Sequence, residues 1–277
     1  MACVLAISSQ VARGHVGLSA IVPALRRLGH EVWALPTIVL SNHPGHRHSA
    51  SMRIQAGVLQ RMVDALDRNG WLGEIDAVLT GYLPSVSHVA FAAQTLVRLK
   101  ARRPAVIYLC DPVIGDEPKG LYIEAGAAAA IRDALVPRAD ISTPNRFELS
   151  FLACAPIEDQ ASAVKASAAL GVASVLIKSL PGGLPAERIN LMVSPKGSYL
   201  ARVPLRGRVP HGVGDLMAGL LLGHLLNGAS PGEALAKSTA AVDAALEVSE
   251  GADELKLAAW AASPEPPGWP VESLTQD

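Results

Sequence analysis

The most informative stretch of this chain is HGVGDLMAGLLLG, which spans residues 211–223. Gly212 and Gly214 flank Val213, Asp215 follows at once, and a long apolar run begins there. Glycines allow a tight turn that leaves backbone N–H groups facing outward, and the apolar run predicts a buried helix. Because N–H groups at a helix N-terminus bind anions, the stretch predicts a phosphate site at the start of that helix.

Asp215 is the unusual residue of this stretch, since a carboxylate repels a phosphate ligand. Its position makes sense if it accepts the proton of a hydroxyl group while that hydroxyl attacks a phosphoryl group. The first hypothesis is therefore a kinase that acts on a small molecule. The alternative is an ordinary helix start, with an aspartate near the positive end of the helix dipole.

The amino-acid composition argues against several other classes of protein. The chain has 277 residues, of which 50% are hydrophobic and 18% charged, so it can fold around a substantial core. A formal net charge of −1, with 4% aromatic residues, argues against nucleic-acid binding. Cys3, Cys110 and Cys154 are widely spaced, which indicates neither a disulfide framework nor a zinc site and favours a reducing compartment. We expect no secretion signal and no membrane span.

Short β-type runs alternate with longer helical stretches along the chain. The predicted strands are 4–8, 31–35, 77–80, 105–109, 141–143 and 174–177, with a hairpin formed by 189–194 and 198–203. The predicted helices are 17–28, 51–69, 86–100, 125–135, 147–152, 161–170, 213–226 and 231–248. This order predicts one α/β domain, with helices on both faces of a mostly parallel sheet. We expect the proline-rich tail after Ala262 to separate from it.

Polar residues follow several predicted strands, namely Ser9, Tyr82, Asp111, Asn145 and Ser179. Because ligands of such folds lie beyond the carboxyl ends of the strands, these side chains predict one shared pocket.

Two segments near this edge suggest a metal. Cys110–Asp116 places two carboxylates around a strand end, where aspartates can hold Mg²⁺ through its water molecules. The alternative there is an Asp-Pro turn with an exposed second acid. In Thr143–Glu148, Asn145 and Glu148 stand three residues apart, so Glu148 is placed to anchor a metal-bound water. A helix N-cap with a supporting glutamate is the alternative.

Three glycine- or histidine-rich loops carry weaker signals. Arg13–Gly17 lacks the Gly-Lys-Ser/Thr of a P-loop and the full dinucleotide fingerprint, so an NAD site is not expected. Ser41–His48 has three histidines in six positions, which suggests either a metal or a polar loop with one histidine near substrate. Gly182 and Gly183 predict either a mobile loop near the nucleotide or a plain surface turn.

Taken in order, these segments resemble the bacterial pyridoxal/pyridoxamine kinases of the ribokinase-like superfamily. The matching stretches reach nearly to Val248 and are 13–20, 29–35, 41–45, 80–83, 110–116 with 119–120, 139–149 and 212–222. The resemblance implies a single-domain, three-layer fold over residues 1–262, followed by a tail at 263–277. It also implies a cytoplasmic homodimer that uses ATP, Mg²⁺ and in some members a monovalent cation such as K⁺. The reaction it implies is phosphorylation of the 5′-hydroxymethyl group of pyridoxal.

The resemblance also assigns roles by position. Asp215 matches the catalytic base, and the N–H groups of Gly212, Val213 and Gly214 match the anion hole. The residues that match the pyridoxal pocket are Ser9, Val16, His43 and Tyr82. The residues that match the phosphate and metal region are Asp111, Thr143, Asn145 and Glu148, with Asp111 and Glu148 near Mg²⁺. Those that match the nucleotide contact and the lid over the phosphates are Ser179, Lys119 and Tyr122.

Several positions depart from the family pattern, namely Gln10, Leu40, Pro44, Val213 and 47–51. These changes leave phosphoryl transfer intact and leave the preference among B6 vitamers open. The alternatives are a hydroxymethylpyrimidine or sugar kinase of the same superfamily and a non-catalytic vitamin B6-binding protein.

Two finer expectations concern single residues. We expect Gly214 to need a positive φ that a β-branched residue resists. Cys110 directly precedes Asp111 at a strand end, where its thiol either adds to the aldehyde of pyridoxal or is buried and inert.

Overall fold

Twelve strands form two sheets in residues 1–274, the part of the chain that the computed structural model describes. They are β1 (Cys3–Val11), β2 (Glu31–Leu40), β3 (Ser51–Arg53), β4 (Ala77–Thr80), β5 (Ile107–Cys110), β6 (Gly115–Asp116), β7 (Gly120–Leu121), β8 (Ile141–Ser142), β9 (Ser174–Pro181), β10 (Glu187–Ser194), β11 (Gly197–Pro204) and β12 (Glu272–Leu274). β6 and β7 pair as a separate small ribbon, and the other ten strands form the central sheet.

The central sheet has the order β12-β11-β10-β9-β8-β5-β4-β1-β2-β3. The six strands from β9 to β2 run parallel, which confirms the predicted mostly parallel sheet. Antiparallel strands extend it at both edges. Strands buried on both faces must be apolar throughout, and β4 is buried at every position.

Helices cover both faces of the sheet, as the alternation predicts. They are α1 (Leu18–Arg27), α2 (Ala56–Arg68), α3 (Val86–Arg102), α4 (Ala125–Ala130), α5 (Arg146–Ala153), α6 (Gln160–Ala169), α7 (Val213–Leu226), α8 (Pro231–Glu247) and α9 (Leu257–Ala262). Successive residues of β1 point to opposite faces. Accordingly, Leu5 and Ile7 pack with α2 to α6, whereas Val4 and Ala6 pack with α1, α7 and α8. No helix in this part of the chain is long and apolar enough to cross a membrane.

α7 begins at Val213 and ends at Leu226, as predicted, and every residue from Leu216 to His224 is buried. Its glycines let α1 approach closely. A Cβ at Gly219 would lie 3.1 Å from the Cβ of Ala24, and one at Gly223 would lie 2.6 Å from Leu28. Gly219 and Gly223 are therefore explained by packing against α1 and the residue that follows it, and this packing holds α7 in place.

The predicted helix at 51–69 is wrong in its first turn. Ser51–Arg53 forms β3 and pairs antiparallel with Ile38–Leu40, because β2 extends five residues beyond its predicted end at Leu35. On the core side of α2, Leu59 and Val63 are fully buried and Leu66 packs partly buried beside them.

The expected separation of the tail is also wrong for the residues described. Glu272–Leu274 pairs with Ser198–Leu200 at the edge of the sheet. The indole N–H of Trp269 donates to the carbonyl of Arg202 at 2.7 Å. Strand pairing and the hydrogen bond of the partly buried Trp269 thus hold the proline-rich segment against the sheet. The division of the chain at residue 262 stays a prediction.

Candidate active site

The carboxyl ends of the parallel strands open into a cleft of about 970 Å³. The predicted site residues that line it are Ser9, Val16, His43, Tyr82, Asp111, Lys119, Tyr122, Asn145, Glu148, Ser179, Gly212, Val213, Gly214 and Asp215. Thr143 does not reach the cleft surface. It is fully buried, and its hydroxyl donates to Asp111 Oδ1 at 2.7 Å, so it orients a carboxylate and does not face a ligand.

The start of α7 has the geometry of an anion site, but the left-handed residue is not Gly214. Gly212 has the positive φ, +94°, and a Cβ there would lie 1.7 Å from the carbonyl oxygen of His15. Gly214 lies within the helix, where a Cβ would meet Lys178 Nζ at 3.4 Å. The first N–H groups of a helix have no partner within it, so those that follow Gly212 are free to bind an anion.

Asp215 lies in the first turn of α7 and faces the cleft. Its pKa is raised to about 6, first by burial and then by the charge of Asp111. A hydrogen bond from the backbone of Gly17 and the charge of Lys178 act in the opposite direction. A carboxyl group with this pKa is ionised at neutral pH and still basic enough to accept a proton, which suits a general base.

Lys178 is the main residue that the sequence analysis missed. Its ammonium group lies 2.7 Å from Asp111 Oδ1, and only 12% of its side chain is exposed. Burial lowers the pKa of Lys178, but Asp111 and Glu148 more than offset this and hold the pKa above its usual value, with a smaller contribution from Asp215. The lysine therefore stays charged. It directly follows the predicted strand 174–177, so the rule that singled out the other strand ends was sufficient to find it.

Glu148 forms the capping box that was the alternative interpretation of its segment. Its Oε2 accepts the N–H of Asn145 at 2.8 Å, and its own N–H donates to Asn145 Oδ1 at 2.9 Å. Its Oε1 accepts the N–H of Ile114 at 3.2 Å. Burial raises the pKa of Glu148, and the negative charge of Asp111 raises it further. The charge of Lys178 and the backbone N–H donors lower it. Glu148 thus joins α5 to the loop after β5, close to Lys178 and Asp111.

The two predicted metal residues differ in what they offer a cation. Both oxygens of Glu148 accept backbone N–H groups. In Asp111, Oδ1 is held by Thr143 and Lys178, whereas Oδ2 is buried without a partner. Residues 1–274 contain no group of three acidic, histidine or cysteine side chains that could enclose a metal ion. One free carboxylate oxygen fits a Mg²⁺ ion that keeps most of its water molecules.

Another part of the cleft, which we call the acceptor end, is lined by residues that the resemblance assigns to the pyridoxal pocket. Ser9 lies inside β1, and a Cβ on Gly17 would lie 2.2 Å from its carbonyl oxygen. The N–H of Tyr82 donates to the hydroxyl of Ser8 at 3.0 Å, and the carbonyl of Tyr82 accepts from Thr37 at 2.7 Å. These contacts hold the backbone at the ends of β1 and β4 in place around this part of the cleft.

His43 stacks on His211, with ring centroids 3.6 Å apart and an angle of 23° between the planes. The pKa of His43 is lowered to about 4, first by burial and then by His211 and Lys119. The ring of His43 is therefore uncharged at neutral pH and lies against His211, the residue that precedes Gly212. His211 begins the stretch 211–223, but nothing in the sequence indicated that it would contact His43.

The ribbon of β6 and β7 stands over the start of α5. The side-chain amide of Asn145 donates to the carbonyl of Gly115 at 2.9 Å, and Arg146 pairs with Glu117. Lys119 lies in the turn between the two strands and lines the cleft, as a lid residue would. The pKa of Tyr122, which follows β7, is raised by burial and by a hydrogen bond with Asp116.

The remaining predictions concern Ser179, the paired glycines and Cys110. Ser179 has a positive φ of 55°, and its N–H donates to Asn190 Oδ1 at 3.1 Å. Gly182 and Gly183 lie in the turn between β9 and β10 outside the cleft, so the plain surface turn holds. Cys110 is 1% exposed, and burial raises its pKa to about 12. Its thiol is therefore inert, and the aldehyde-binding hypothesis is wrong.

A carboxylate of pKa about 6, free backbone N–H groups and a buried ammonium together are equipped to move a phosphoryl group. The layered parallel sheet places this chemistry in the ribokinase-like class of kinases. A family model described as phosphomethylpyrimidine kinase matches residues 29–259. The chain belongs to this family, and it is an enzyme that acts as a kinase.

Curated relatives with high similarity are pyridoxal kinases. PdxY of Rubrobacter xylanophilus is 38% identical over 264 residues, which cover 92% of this chain and 91% of the relative. PdxY of Deinococcus radiodurans is 36% identical, with 92% of this chain and 90% of the relative covered. Among solved structures, pyridoxal kinase from Leishmania donovani in complex with ADP and pyridoxamine has a TM-score of 0.92 at 27% identity, covering 99% of this chain and 100% of that chain.

Proposed function

We propose that this kinase transfers the γ-phosphoryl group of ATP to the 5′-hydroxymethyl group of pyridoxal, giving pyridoxal 5′-phosphate and ADP. The observation that carries the proposal is the position of Asp215. It lies at the start of α7, next to free N–H groups and Lys178, in a cleft that His43 and Tyr82 also line. The curated relatives' names and the ADP and pyridoxamine named with the Leishmania donovani structure support the same reaction.

Asp215 accepts the proton of the 5′-hydroxyl while the hydroxyl oxygen forms a bond to the γ-phosphorus. The bond between that phosphorus and the β,γ-bridging oxygen breaks, and ADP leaves with the electron pair. The N–H groups that follow Gly212 and the ammonium of Lys178 stabilise the charge on the transferring group, the effect that usually contributes most to such rates. Asp111 holds Lys178 at its place by their ion pair.

Asp111 would hold Mg²⁺ through Oδ2, which has no other partner, and Glu148 would act through water because both of its oxygens accept backbone N–H groups. The ion would offset the negative charge of the ATP phosphates. Lys119 and Tyr122 would cover those phosphates from the ribbon, and Asn145 and Ser179 would border the nucleotide. A requirement for K⁺ stays a prediction.

The acceptor end suits a small aromatic ring. Val16 and Leu40 are apolar, and His43 is uncharged at neutral pH. A flat, weakly charged pyridine can pack on such surfaces, while Ser9 and Tyr82 supply hydrogen-bonding groups. With leucine at position 40 and proline at position 44, the pocket holds the ring mainly by packing, which suits more than one B6 vitamer.

The test is release of ADP from ATP with pyridoxal, pyridoxamine, pyridoxine and hydroxymethylpyrimidine as separate acceptors. We expect turnover with pyridoxal and at least tenfold lower kcat/KM with hydroxymethylpyrimidine. The opposite order would favour a hydroxymethylpyrimidine kinase, a candidate suggested by the description of the matching family. Binding of pyridoxal without ADP release would indicate a B6-binding protein instead.

On the family resemblance alone, we also propose a cytoplasmic homodimer. Sedimentation equilibrium should then give twice the 28.8 kDa of one chain. A single-chain mass at micromolar concentration would contradict the dimer and leave the proposed reaction untouched.

A further inference from the structure

Glu254 is a buried carboxylate outside the cleft, in the segment that joins α8 to α9. Only 6% of its side chain is exposed. Its Oε1 lies 2.7 Å from His46 Nε2 and 3.6 Å from Arg13 Nη1, and its Oε2 is buried without a partner. A Cβ on Gly14 would lie 2.5 Å from Glu254 Oε2, so glycine at this position leaves the space that the carboxylate occupies. A buried charge in such a place is costly unless its partners hold it.

His46 belongs to the histidine loop, which we define as Ser41–His48. Its own N–H donates to the carbonyl of His43 at 3.2 Å, and the N–H of Gly45 donates to His43 Nδ1 at 3.0 Å. These two bonds make 43–46 a compact turn. Fixing the His46 ring therefore also fixes the ring of His43, which stacks on His211 at the acceptor end of the cleft.

Glu254 reaches a second loop at the same place. Arg13 pairs with it and, more closely, with the exposed Asp253 at 2.8 Å. Two residues further along, the carbonyl of His15 lies against Gly212. A single carboxylate thus joins the histidine loop and the loop after β1 to the segment before α9.

We propose that Glu254 is a positioning residue that holds the histidine loop over the acceptor, and that it controls acceptor binding without affecting phosphoryl transfer. This inference rests on the proposed function. Neither Glu254 nor His46 lines the cleft, so both act through His43. Asp215 and Lys178 extend from α7 and β9, whose packing in the core also holds them in place. Loss of Glu254 should accordingly weaken acceptor binding and leave the transfer machinery in place.

The kinetic test compares Glu254→Ala and Glu254→Gln with wild type, each at saturating ATP and at saturating pyridoxal. For Glu254→Ala we expect the KM for pyridoxal to rise roughly tenfold, the effect of losing a buried, charge-assisted hydrogen bond, with kcat and the KM for ATP within about twofold. The KM for pyridoxal of Glu254→Gln should lie between those of wild type and Glu254→Ala, because the amide oxygen can still accept from His46 Nε2. Asp253→Asn is the matched control and should leave the KM for pyridoxal unchanged, since its exposed ion pair contributes little.

A double-mutant cycle with Glu254→Ala and His46→Ala tests whether Glu254 affects acceptor binding through its contact with His46. The two single variants and the double variant should raise the KM for pyridoxal by similar factors, because either change breaks the same contact. Factors that multiply in the double variant would overturn the inference. So would an unchanged KM for pyridoxal in folded Glu254→Ala, or equal losses in kcat and in the KM for both substrates, which a general structural role predicts.

Hydrogen exchange separates this inference from the proposed function, because it requires no substrate. The amides of 42–48 should exchange faster in Glu254→Ala and at the wild-type rate in Asp253→Asn. Unchanged exchange in Glu254→Ala would overturn the inference even if pyridoxal is the substrate. If wild type fails to phosphorylate pyridoxal, the proposed function fails, and the exchange rates still decide whether Glu254 holds the loop.

Discussion

The two ends of the cleft are built in different ways. At the transfer end, Asp111 and Glu148 are buried, Lys178 is largely buried, and the three interact electrostatically. Asp111 follows β5, Glu148 lies on α5 and Lys178 lies within β9. At the acceptor end, His43 and His46 lie on a loop whose neighbouring residues are largely exposed. That loop is held to the body by the stack of His43 on His211, by the contact of His46 with Glu254 and by the hydrogen bond from the N–H of Arg13 to the carbonyl of Ser41. From this difference we expect that the buried residues of the transfer end set the rate of transfer, whereas the tethered loop sets the strength of acceptor binding.

Asp215→Asn should have the largest effect of the substitutions considered, and it should act at the transfer end. The amide cannot accept the hydroxyl proton, so kcat should fall roughly 10²–10⁴-fold, while both KM values stay within about threefold. Steady-state kinetics with pyridoxal measures this. Asp133→Asn, at an exposed aspartate, is the matched control. Turnover by Asp215→Asn within about threefold of wild type would mean that another group is the base.

Lys178→Met should come next. The substitution keeps the length of the side chain but removes the ammonium group, and we expect kcat to fall roughly 10²–10³-fold, as when one charge-stabilising donor is lost. Thermal unfolding should also occur at lower temperature, because Asp111 remains buried without its cation. The control Lys165→Met removes an exposed lysine from α6. If Lys178→Met affects only the KM for pyridoxal, the lysine belongs to the acceptor end and the comparison fails.

The pH profile of kcat should follow the transfer end. Burial raises the pKa of Asp215 to about 6, so the carboxylate gains a proton as the pH falls through that value and the base is lost. Activity should decline about tenfold per pH unit well below the pKa. Asp215→Asn should lose this acidic limb, and its persistence in the variant would assign the limb to a different group.

His43→Ala should have the smallest effect and should act at the acceptor end. A stacked aromatic pair contributes roughly 0.5–1.5 kcal/mol, which corresponds to a rise of about 2–12-fold in the KM for pyridoxal with little change in kcat. His48→Ala, at an exposed position of the same loop, is the control. A loss of kcat comparable to that of Lys178→Met would show that the two ends are not separate.

The location of the candidate site could be predicted because it follows from chain direction. Parallel strands bring their carboxyl ends to one edge, so polar residues such as Tyr82, Asp111 and Asn145 meet there whatever the details of packing. The same rule applies to Lys178, which comes directly after the apolar run 174–177, although β9 itself continues to Pro181. The left-handed backbone of Gly212 could not be predicted in this way. It depends on how closely His15 approaches, and the order of residues does not determine that distance.

The sequence by itself determined the alternation of strands and helices, the buried helix α7 and the presence of an acid at its start, because these depend on hydrophobic spacing and on neighbours along the chain. Only the tertiary structure decided which distant side chains meet. The stack of His43 on His211, the ion pair of Lys178 with Asp111 and the contact of Glu254 with His46 join residues that are 67 to 208 positions apart. Such contacts arise from the packing of whole elements, and local patterns do not encode them.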